Sequence, residues 1–405
     1  MNEMKRKPEL LAPAGDMERL KAAVRFGADA VYLAGKSFGM RTACHNFSPD
    51  EMREAVAYAH AHGVKVYVTC NIVPHPHEFE VLPDFLRETW AAGVDAFIVS
   101  DLGVFRLIRR ILPEAELHVS TQAGVTNAES ANLFYELGAR RIVPARELSL
   151  RELAMLRRDI PEDMEIEAFV HGAMCVSFSG RCLLSSYLTG RDSNRGDCAQ
   201  PCRWKYALME EKRPGEYFPI AEDDRGAYIL NSRDMCMIEH IPELLAAGVT
   251  SFKIEGRAKS AYYVAMMVNA YRMALDAAME GRKPEPWVLD EVNKISHRDY
   301  STGFFFDTEP GQFYANGGYI RSYEVCAAVL SWQDGVLTAA QRNRFFEGDT
   351  VEIVAPGTKP IELKVTGMTD VNGEPVASAK HAEMVLHIPC DMPVPEGALI
   401  RKLKP

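Results

Sequence analysis

Residues 165–203 read EIEAFVHGAMCVSFSGRCLLSSYLTGRDSNRGDCAQPCR. The opening run, EIEAFVHG, is mostly apolar, which is typical of a strand in a parallel sheet that is covered on both faces. The sequence then changes to a segment rich in Gly, Ser and Arg, which holds four of the nine cysteines of the chain: Cys175, Cys182, Cys198 and Cys202. We therefore predict a buried strand followed by a cysteine-rich insertion.

Short apolar runs of the same kind recur along the chain, and helical patterns separate them. They cover Glu9–Ala14, Ala30–Gly35, Val64–Asn71, Asp95–Asp101, Leu117–Gln122, Arg140–Ala145 and, after the insertion, Thr250–Gly256. Together with Glu165–Gly172 they make eight alternating strand–helix units, which predict a (β/α)8 barrel of the TIM type. A doubly wound open sheet is the alternative. In a barrel the chemistry lies at the C-terminal ends of the strands, where the cysteine-rich insertion begins.

The pattern of apolar and polar residues changes near Gly317. The remaining segments are short and alternate between apolar and polar residues, and turn signals such as Asp334-Gly335 and Asn372-Gly373 separate them. This pattern predicts a small antiparallel β-barrel domain. We therefore expect two domains: a barrel over residues 1–310, with a cysteine-rich insertion at 173–245, and a C-terminal β-barrel domain over 311–405.

Composition limits the classes of function. The chain has 405 residues and a formal net charge of -10, which argues against indiscriminate binding of nucleic acid. Locally, residues 173–213 carry seven basic and four acidic side chains, which suits either a phosphate backbone or a solvated loop. Neither a signal peptide nor a membrane-spanning apolar run is evident, so we expect a cytoplasmic protein with reduced thiols and no membrane partner.

The cysteine spacing indicates a shared metal or cluster. The pattern suits neither a zinc ribbon nor a standard ferredoxin run, and buried thiols that merely pack are the alternative. Zinc is the alternative metal, because tetrahedral thiolate sites also suit it. The first-choice ligands are Cys175, Cys182, Cys198 and Cys236, with Cys202 as the alternate. Packing roles are expected for the other four cysteines, which are Cys44, Cys70, Cys326 and Cys390.

Polar residues follow several of the predicted strands. The candidate substrate-binding residues are Gln122, Arg146, Lys253, Glu255 and Arg257. Guanidinium groups bind carboxylates through paired hydrogen bonds, so Arg146 and Arg257 predict a small anionic substrate; ordinary salt bridges are the alternative.

Other polar residues suggest a supporting role or no chemistry. His171, four residues before Cys175, is expected to support the cysteine site, whereas His75 and His77 are expected to be exposed loop residues without a role. A peptidase would need a nucleophile–base pair or a zinc helix. HEFE at His77–Glu80 lacks the second histidine.

The stretch EAFVHGAMCVSFSGRCLLSSYLTGRDSNRGDCAQPCRW resembles the signature of the collagenase-like peptidases, family U32. LLAPAG, SFKIEGR and HRDYSTGF extend the resemblance over nearly the whole chain. It implies hydroxylation of nucleic acid or quinones. Its tRNA hydroxylation branch implies conversion of the wobble uridine of tRNA to 5-hydroxyuridine, with a [4Fe–4S] cluster rather than zinc and with prephenate as co-substrate. The alternatives are a collagenase-like peptidase and a non-catalytic iron–sulfur scaffold that binds a partner subunit in a hydroxylation complex.

Overall fold

The computed structural model describes residues 7–40, 45–175, 182–204, 208–209, 217–218, 233–306 and 319–404. Cys44 lies outside the described residues, as do parts of the cysteine-rich insertion. The chain divides into two compact units. Unit 1 comprises Met1–Val24, Ala28–Lys259 and Arg298–Gly318, and unit 2 comprises Arg25–Gly27, Ser260–His297 and Tyr319–Pro405. The domain boundary near residue 310 stays a prediction.

Unit 1 contains a closed barrel. The strands up to residue 301 that belong to unit 1 are β1 (Glu9–Pro13), β2 (Ala30–Leu33), β3 (Lys65–Cys70), β4 (Ala96–Val99), β5 (Glu116–Val119), β6 (Arg141–Ile142), β7 (Glu165–Ala173), β8 (Leu208–Met209), β9 (Tyr217–Phe218), β10 (Asp234–Cys236), β11 (Ser251–Ile254) and β12 (Tyr300–Ser301). Strands β1–β7 pair in order and in parallel, and β11 pairs with both β1 and β7. These eight parallel strands confirm the predicted (β/α)8 barrel and exclude the open sheet.

Helices follow the strands as the sequence predicts. They are α1 (Met17–Arg25), α2 (Pro49–Ala61), α3 (Leu82–Ala91), α4 (Leu102–Ile111), α5 (Ala128–Glu136), α6 (Leu150–Asp159), α7 (Leu184–Thr189) and α8 (Ile241–Ala246). Side-chain caps fix their starts: Asp16 accepts from the Arg19 N–H at 2.9 Å, and Ser48 forms a capping box with Glu51 at the start of α2. Among the described residues, no helix is long and apolar enough to cross a membrane.

The barrel interior is only partly apolar. Leu11, Ala30, Tyr67, Ala96 and Ile98 belong to one buried interior cluster. Charged side chains on neighbouring strands form a continuous set of contacts beside it, which we call the ionic ladder. Its members are Glu9, Arg141, Glu165, Glu167 and Lys253. Buried charges are stable only when they are paired, so each charged side chain of the ladder depends on its ion-pair partner.

Two short strands extend the sheet beyond β7. Strand β10 runs antiparallel to the end of β7 and places Cys236 opposite His171. It also pairs in parallel with β12. Asp234, which begins β10, makes a buried ion pair with Arg298 at 2.7 Å. This pair fixes the strand that carries Cys236.

Unit 2 consists of helices and an antiparallel sheet. Its helices are α9 (Ala261–Met279) and α10 (Pro286–Asp290), and its strands are β13 (Tyr323–Gln333), β14 (Val336–Gln341), β15 (Phe345–Phe346), β16 (Thr350–Val354), β17 (Ile361–Lys364), β18 (Thr369–Asp370), β19 (Ser378–Ala379), β20 (Val385–Pro389) and β21 (Leu399–Leu403). Seven strands form one sheet in the order β17-β16-β21-β13-β14-β20-β18, and β15 pairs with β19. The antiparallel C-terminal domain is therefore confirmed. Cys326 and Cys390 lie in its core, as predicted.

Candidate functional site

A cleft opens at the C-terminal ends of the barrel strands. It encloses about 580 Å³, including the space that opens to solvent. All five predicted substrate-binding residues line it: Gln122, Arg146, Lys253, Glu255 and Arg257. The other lining residues are Tyr32, Met40, Thr69, Asn71, Ser120, Thr121, Val143 and Phe169. The barrel gathers them because parallel strands end at one mouth.

One wall of the cleft is cationic. Arg146 donates to the Ala173 carbonyl oxygen at 3.1 Å and lies over the Phe169 ring. Arg257 is buried and donates to Thr69 Oγ1 at 3.2 Å. Lys253 is 4% exposed. With three cations and one lining carboxylate, the cleft favours an anionic ligand.

The lining of the cleft also includes neutral amides. Asn71 donates to Gln122 Oε1 at 3.0 Å and to Ser120 Oγ at 3.3 Å, while its own oxygen accepts from the Met40 N–H. Ser120 also donates to Gln122 Oε1. These bonds engage the carboxamide oxygen of Gln122 and leave its amide hydrogens available for a ligand in the cleft. The cleft therefore offers both positive charges and neutral hydrogen-bond donors.

The ionic ladder lies beneath the cationic wall. Burial opposes ionisation of Glu9, but Arg141, at 2.6 Å, holds the pKa of Glu9 at about 2. Burial likewise opposes ionisation of Glu167, but Lys253 and Arg141 keep its pKa below the usual value. Burial and the nearby Arg141 lower the pKa of His118. The ladder therefore favours the charged forms of Glu9 and Glu167 inside the barrel.

The cysteine-rich segment leaves β7 and reaches the opposite side of the barrel mouth. Arg195 pairs with Glu78, in the loop after β3, at 2.7 Å, and it donates to the Val73 carbonyl oxygen at 3.1 Å. Gly196 has φ +88°, and a Cβ there would lie 2.9 Å from the Gly39 carbonyl oxygen. The Arg195 guanidinium holds the pKa of Glu78 at about 2. These contacts tie the segment to the loops beside Met40, at the edge of the cleft.

The candidate metal ligands are partly accessible thiols near that mouth. Cys175 is exposed, and Cys182, Cys198 and Cys202 are half-buried. Cys198 Sγ accepts a hydrogen bond from the Gln200 N–H at 3.3 Å, which is the kind of contact that stabilises cluster sulfurs. Cys236 is half-buried as well. Thiols in this number and setting have the donor chemistry of an iron–sulfur site.

The described thiols have the donor atoms of a metal site, but they are not grouped as one. Within the described parts of the chain, no three Cys, His, Asp or Glu side chains are grouped closely enough to hold a metal ion. His171 is buried against the Tyr300 ring, with ring centroids 5.4 Å apart. Burial raises the pKa of Cys70 to about 12, in agreement with its predicted packing role. Four-thiol ligation therefore stays a prediction from the spacing and the family resemblance.

The described hydroxyls of the cleft do not form a nucleophile–base pair. Ser120 donates to Gln122, and Thr121 donates to the Pro144 carbonyl oxygen. His75 and His77 are exposed on the loop after β3, as expected. The described residues of the cleft therefore do not provide the paired nucleophile and base that a peptidase mechanism requires.

The family model "Peptidase family U32" matches residues 15–313, and the model of the family's C-terminal domain matches residues 321–401. The chain belongs to peptidase family U32. It is 37% identical to tRNA hydroxylation protein P1 of Bacillus subtilis, over 98% of this chain and 96% of the relative. It is 34% identical to tRNA hydroxylation protein P of Escherichia coli, over 98% and 97%. It is also 37% identical to the 23S rRNA 5-hydroxycytidine synthase of E. coli, over 75% of this chain and 46% of that relative.

The structure also reveals cleft-supporting residues that the sequence analysis missed. Glu167 and Arg141 are buried beneath the cationic wall, and Glu78 anchors the cysteine-rich segment. One signal was available for Glu167: acidic residues at every second position of an otherwise apolar strand, as in EIEAF, indicate side chains that point into the barrel. No comparable local signal marks Glu78, whose partner lies far along the chain.

Proposed function

We propose that this U32 protein is an RNA-modifying enzyme that hydroxylates the wobble uridine of tRNA to 5-hydroxyuridine. The observation that carries the proposal is the cation-lined cleft beside the cysteine-rich segment. It occurs in a chain that is similar over nearly its whole length to proteins named for tRNA hydroxylation. A third similar protein is named for hydroxylation of a base in ribosomal RNA. A common chemistry on RNA pyrimidines is the simplest account of these names.

The cleft suits a small anionic co-substrate, for which we propose prephenate. Arg146 and Arg257 would bind its carboxylates, and Lys253 would supply a third positive charge. Gln122 would direct its amide hydrogens to neutral oxygens of the ligand. Glu255, the lining carboxylate, would orient a hydroxyl group or accept its proton.

A [4Fe–4S] cluster held by Cys175, Cys182, Cys198 and Cys236, with Cys202 as the alternate, is part of the proposal. The N–H···S bond to Cys198 is a contact that suits a cluster ligand. When bound, the cluster would supply electron transfer or an open iron for a substrate. The residues of this chain would bind the anion, orient it and close the mouth of the barrel.

The test is nucleoside mass spectrometry of tRNA from cells with and without this protein. Loss of 5-hydroxyuridine on deletion, and its return on complementation with the intact gene, support the proposal. Unchanged tRNA nucleosides together with gelatin cleavage by the purified protein would instead favour the peptidase. Modification that survives substitution of every cleft residue would favour a scaffold that acts through a partner subunit.

Anaerobic purification tests the cluster separately. We expect brown protein with about four irons, the content of a [4Fe–4S] cube. Serine replacement of Cys175, Cys182, Cys198 or Cys236 should remove the colour, whereas Cys326→Ser, in the core of unit 2, should not. Colourless protein with stoichiometric zinc would contradict the cluster.

A further inference from the structure

We propose that Glu167 is a positioning residue, which holds the ammonium group of Lys253 in place in the cleft through a buried ion pair. In this role Lys253 acts on the ligand as a fixed cation and hydrogen-bond donor, and not as a nucleophile that forms an imine. The inference rests on the proposed function only in taking the cleft as the site where the small substrate binds.

The surroundings of Lys253 fix the position of its ammonium group. Lys253 Nζ lies 2.7 Å from Glu167 Oε1, 4.4 Å from the centroid of the Tyr32 ring and 5.2 Å from that of Phe169. A cation over two aromatic faces is attracted to both rings. The β7–β11 pairing also shifts register between Lys253 and Ile254, and such irregularities redirect side chains near active sites.

The ammonium group keeps donors for a ligand. It carries three N–H donors, and among the described residues Glu167 is the only hydrogen-bond acceptor found for them. Lys253 also lines the cleft, so the remaining donors can reach a bound oxygen atom. Such an ammonium group can bind a ligand oxygen, because buried N–H donors without acceptors are unfavourable.

Glu167 is a poor acceptor for the Lys253 proton. Its second oxygen lies 3.1 Å from Arg141 Nη1, so two cations share one carboxylate. His118 is a third titratable group that acts on Glu167, and it too favours the carboxylate form. Imine formation would require Lys253 to lose a proton, attack a carbonyl carbon and expel water. The pairing opposes the first of these steps.

The experiment compares two carboxylates on the same strand. Glu165 and Glu167 both pair with Arg141, at 2.6 and 3.1 Å, but the Lys253 ion pair involves Glu167. Glu165→Gln is therefore a matched control for Glu167→Gln. The readout is reductive methylation of Lys253 by formaldehyde and cyanoborohydride at pH 8, followed by peptide mass spectrometry, and it requires neither RNA nor activity.

We expect Glu167→Gln, which removes the ion pair, to raise the labelling rate of Lys253 at least about tenfold, and Glu165→Gln to change it less than about twofold. Equal labelling in the wild type and Glu167→Gln would overturn the proposal. So would a borohydride-trapped adduct of pyruvate on wild-type Lys253. These outcomes are independent of whether tRNA is the substrate.

If Glu167→Gln fails to fold, a second pair of variants tests the proposal. Lys253→Met removes the charge and leaves Glu167 paired with Arg141, whereas Lys253→Arg keeps a cation. We expect 5-hydroxyuridine to fall at least about a hundredfold in Lys253→Met and within about tenfold in Lys253→Arg, because the charge is what matters. Equal loss in the two variants would overturn the fixed-cation role, since an imine needs the lysine amine itself.

Discussion

Two buried ionic networks, one in each unit, differ in how they end. In the barrel, Arg141 contacts Glu9, Glu165 and Glu167, and the contacts continue to Lys253 at the floor of the cleft. In unit 2, Arg401 is fully buried between Glu291 and Glu352. The first network reaches a ligand-accessible surface, whereas the second is closed.

The two networks differ in whether their N–H donors all have acceptors within the protein. The five N–H donors of Arg401 have acceptors in Glu291, Glu352 and either Tyr262 or Met266. Burial opposes the charged form of Arg401, but Glu291 and Glu352 outweigh it and leave the pKa of Arg401 raised. A closed network can only hold structure together. An open one, with donors left at a cleft, can also bind, and this separates a functional buried charge from a structural one.

Breaking the closed network should give the largest effect on stability. Arg401→Met leaves buried Glu291 without its strongest partner, and we expect unit 2 to lose about 3–5 kcal/mol of unfolding free energy. Hydrogen–deuterium exchange of β13 and β21 measures this loss. Arg342→Met is the control, because its pair with Glu383 is largely exposed, and it should change stability by less than about 0.5 kcal/mol. Equal protection in the two variants would contradict a structural role for Arg401.

The Arg401 network also provides a test of the predicted domain boundary near residue 310. A chain that ends there keeps α9, α10 and Glu291 but loses Arg401 and Glu352. We expect such a truncation to expose or destabilise the two helices while the cleft-bearing barrel stays folded. Glu291→Leu in the truncated chain should recover stability, because it removes a buried charge that has lost Arg401 and keeps the pair with Lys294 at 3.3 Å. No recovery would show that the helices need the sheet for more than this ion pair.

The open network should make the barrel sensitive to acid. The pKa of Glu9 is about 2 in the folded chain, against an ordinary value of 4.5. A lowered carboxylate pKa stabilises the fold above pH 4.5, and this contribution is lost as the pH falls from there towards 2. The difference corresponds to about 3 kcal/mol at neutral pH. Glu9→Gln should therefore lower the melting temperature at pH 7 and flatten its dependence on pH below 4.5. A steep acid transition that persists in Glu9→Gln would assign the effect to other groups.

The sequence predicts the barrel well because the strands are short apolar runs and several helices begin at a cap such as Asp16 or Ser48. Strand ends are less certain: β6 spans Arg141–Ile142 rather than the predicted Arg140–Ala145. The cleft residues could be named because polar side chains directly after strands must meet at one mouth. Arg146 and Lys253 come together for this reason alone.

The rest depends on contacts between distant parts of the chain. Glu9 and Arg141 meet across the barrel, and only the inward orientation of both makes them partners. The pair Glu78–Arg195 joins a loop after β3 to the insertion after β7. Local patterns cannot reveal such pairs, because either residue alone is ordinary for an exposed loop. The grouping of the five candidate cysteines stays a prediction from their spacing.

Substitution of the cleft arginines tests the open network at its surface. Arg146→Lys and Arg257→Lys keep the charge but lose the two-pronged geometry, so we expect each to reduce 5-hydroxyuridine by about ten- to a hundredfold. Arg158→Lys is the control, because its exposed pair with Asp159 lies away from the cleft. Nucleoside mass spectrometry in a complemented deletion strain gives the readout, and the melting temperature checks the fold. Full modification with both arginines changed would refute the anion clamp.

The smallest effect should come from the Arg195–Glu78 contact, which lies near the surface. Partly exposed ion pairs contribute about 0.2–1 kcal/mol, so Arg195→Ala should leave the melting temperature of the barrel almost unchanged. It should nevertheless release the cysteine-rich segment from the loop after β3, and chymotrypsin should then cleave at exposed Tyr187 and Trp204 about five times faster. Arg191→Ala is the matched control, because Arg191 pairs with Asp197 inside the same segment and ties nothing to the barrel. Equal cleavage of the two variants would mean that Gly196 and its backbone contacts, rather than the ion pair, hold the segment at the mouth.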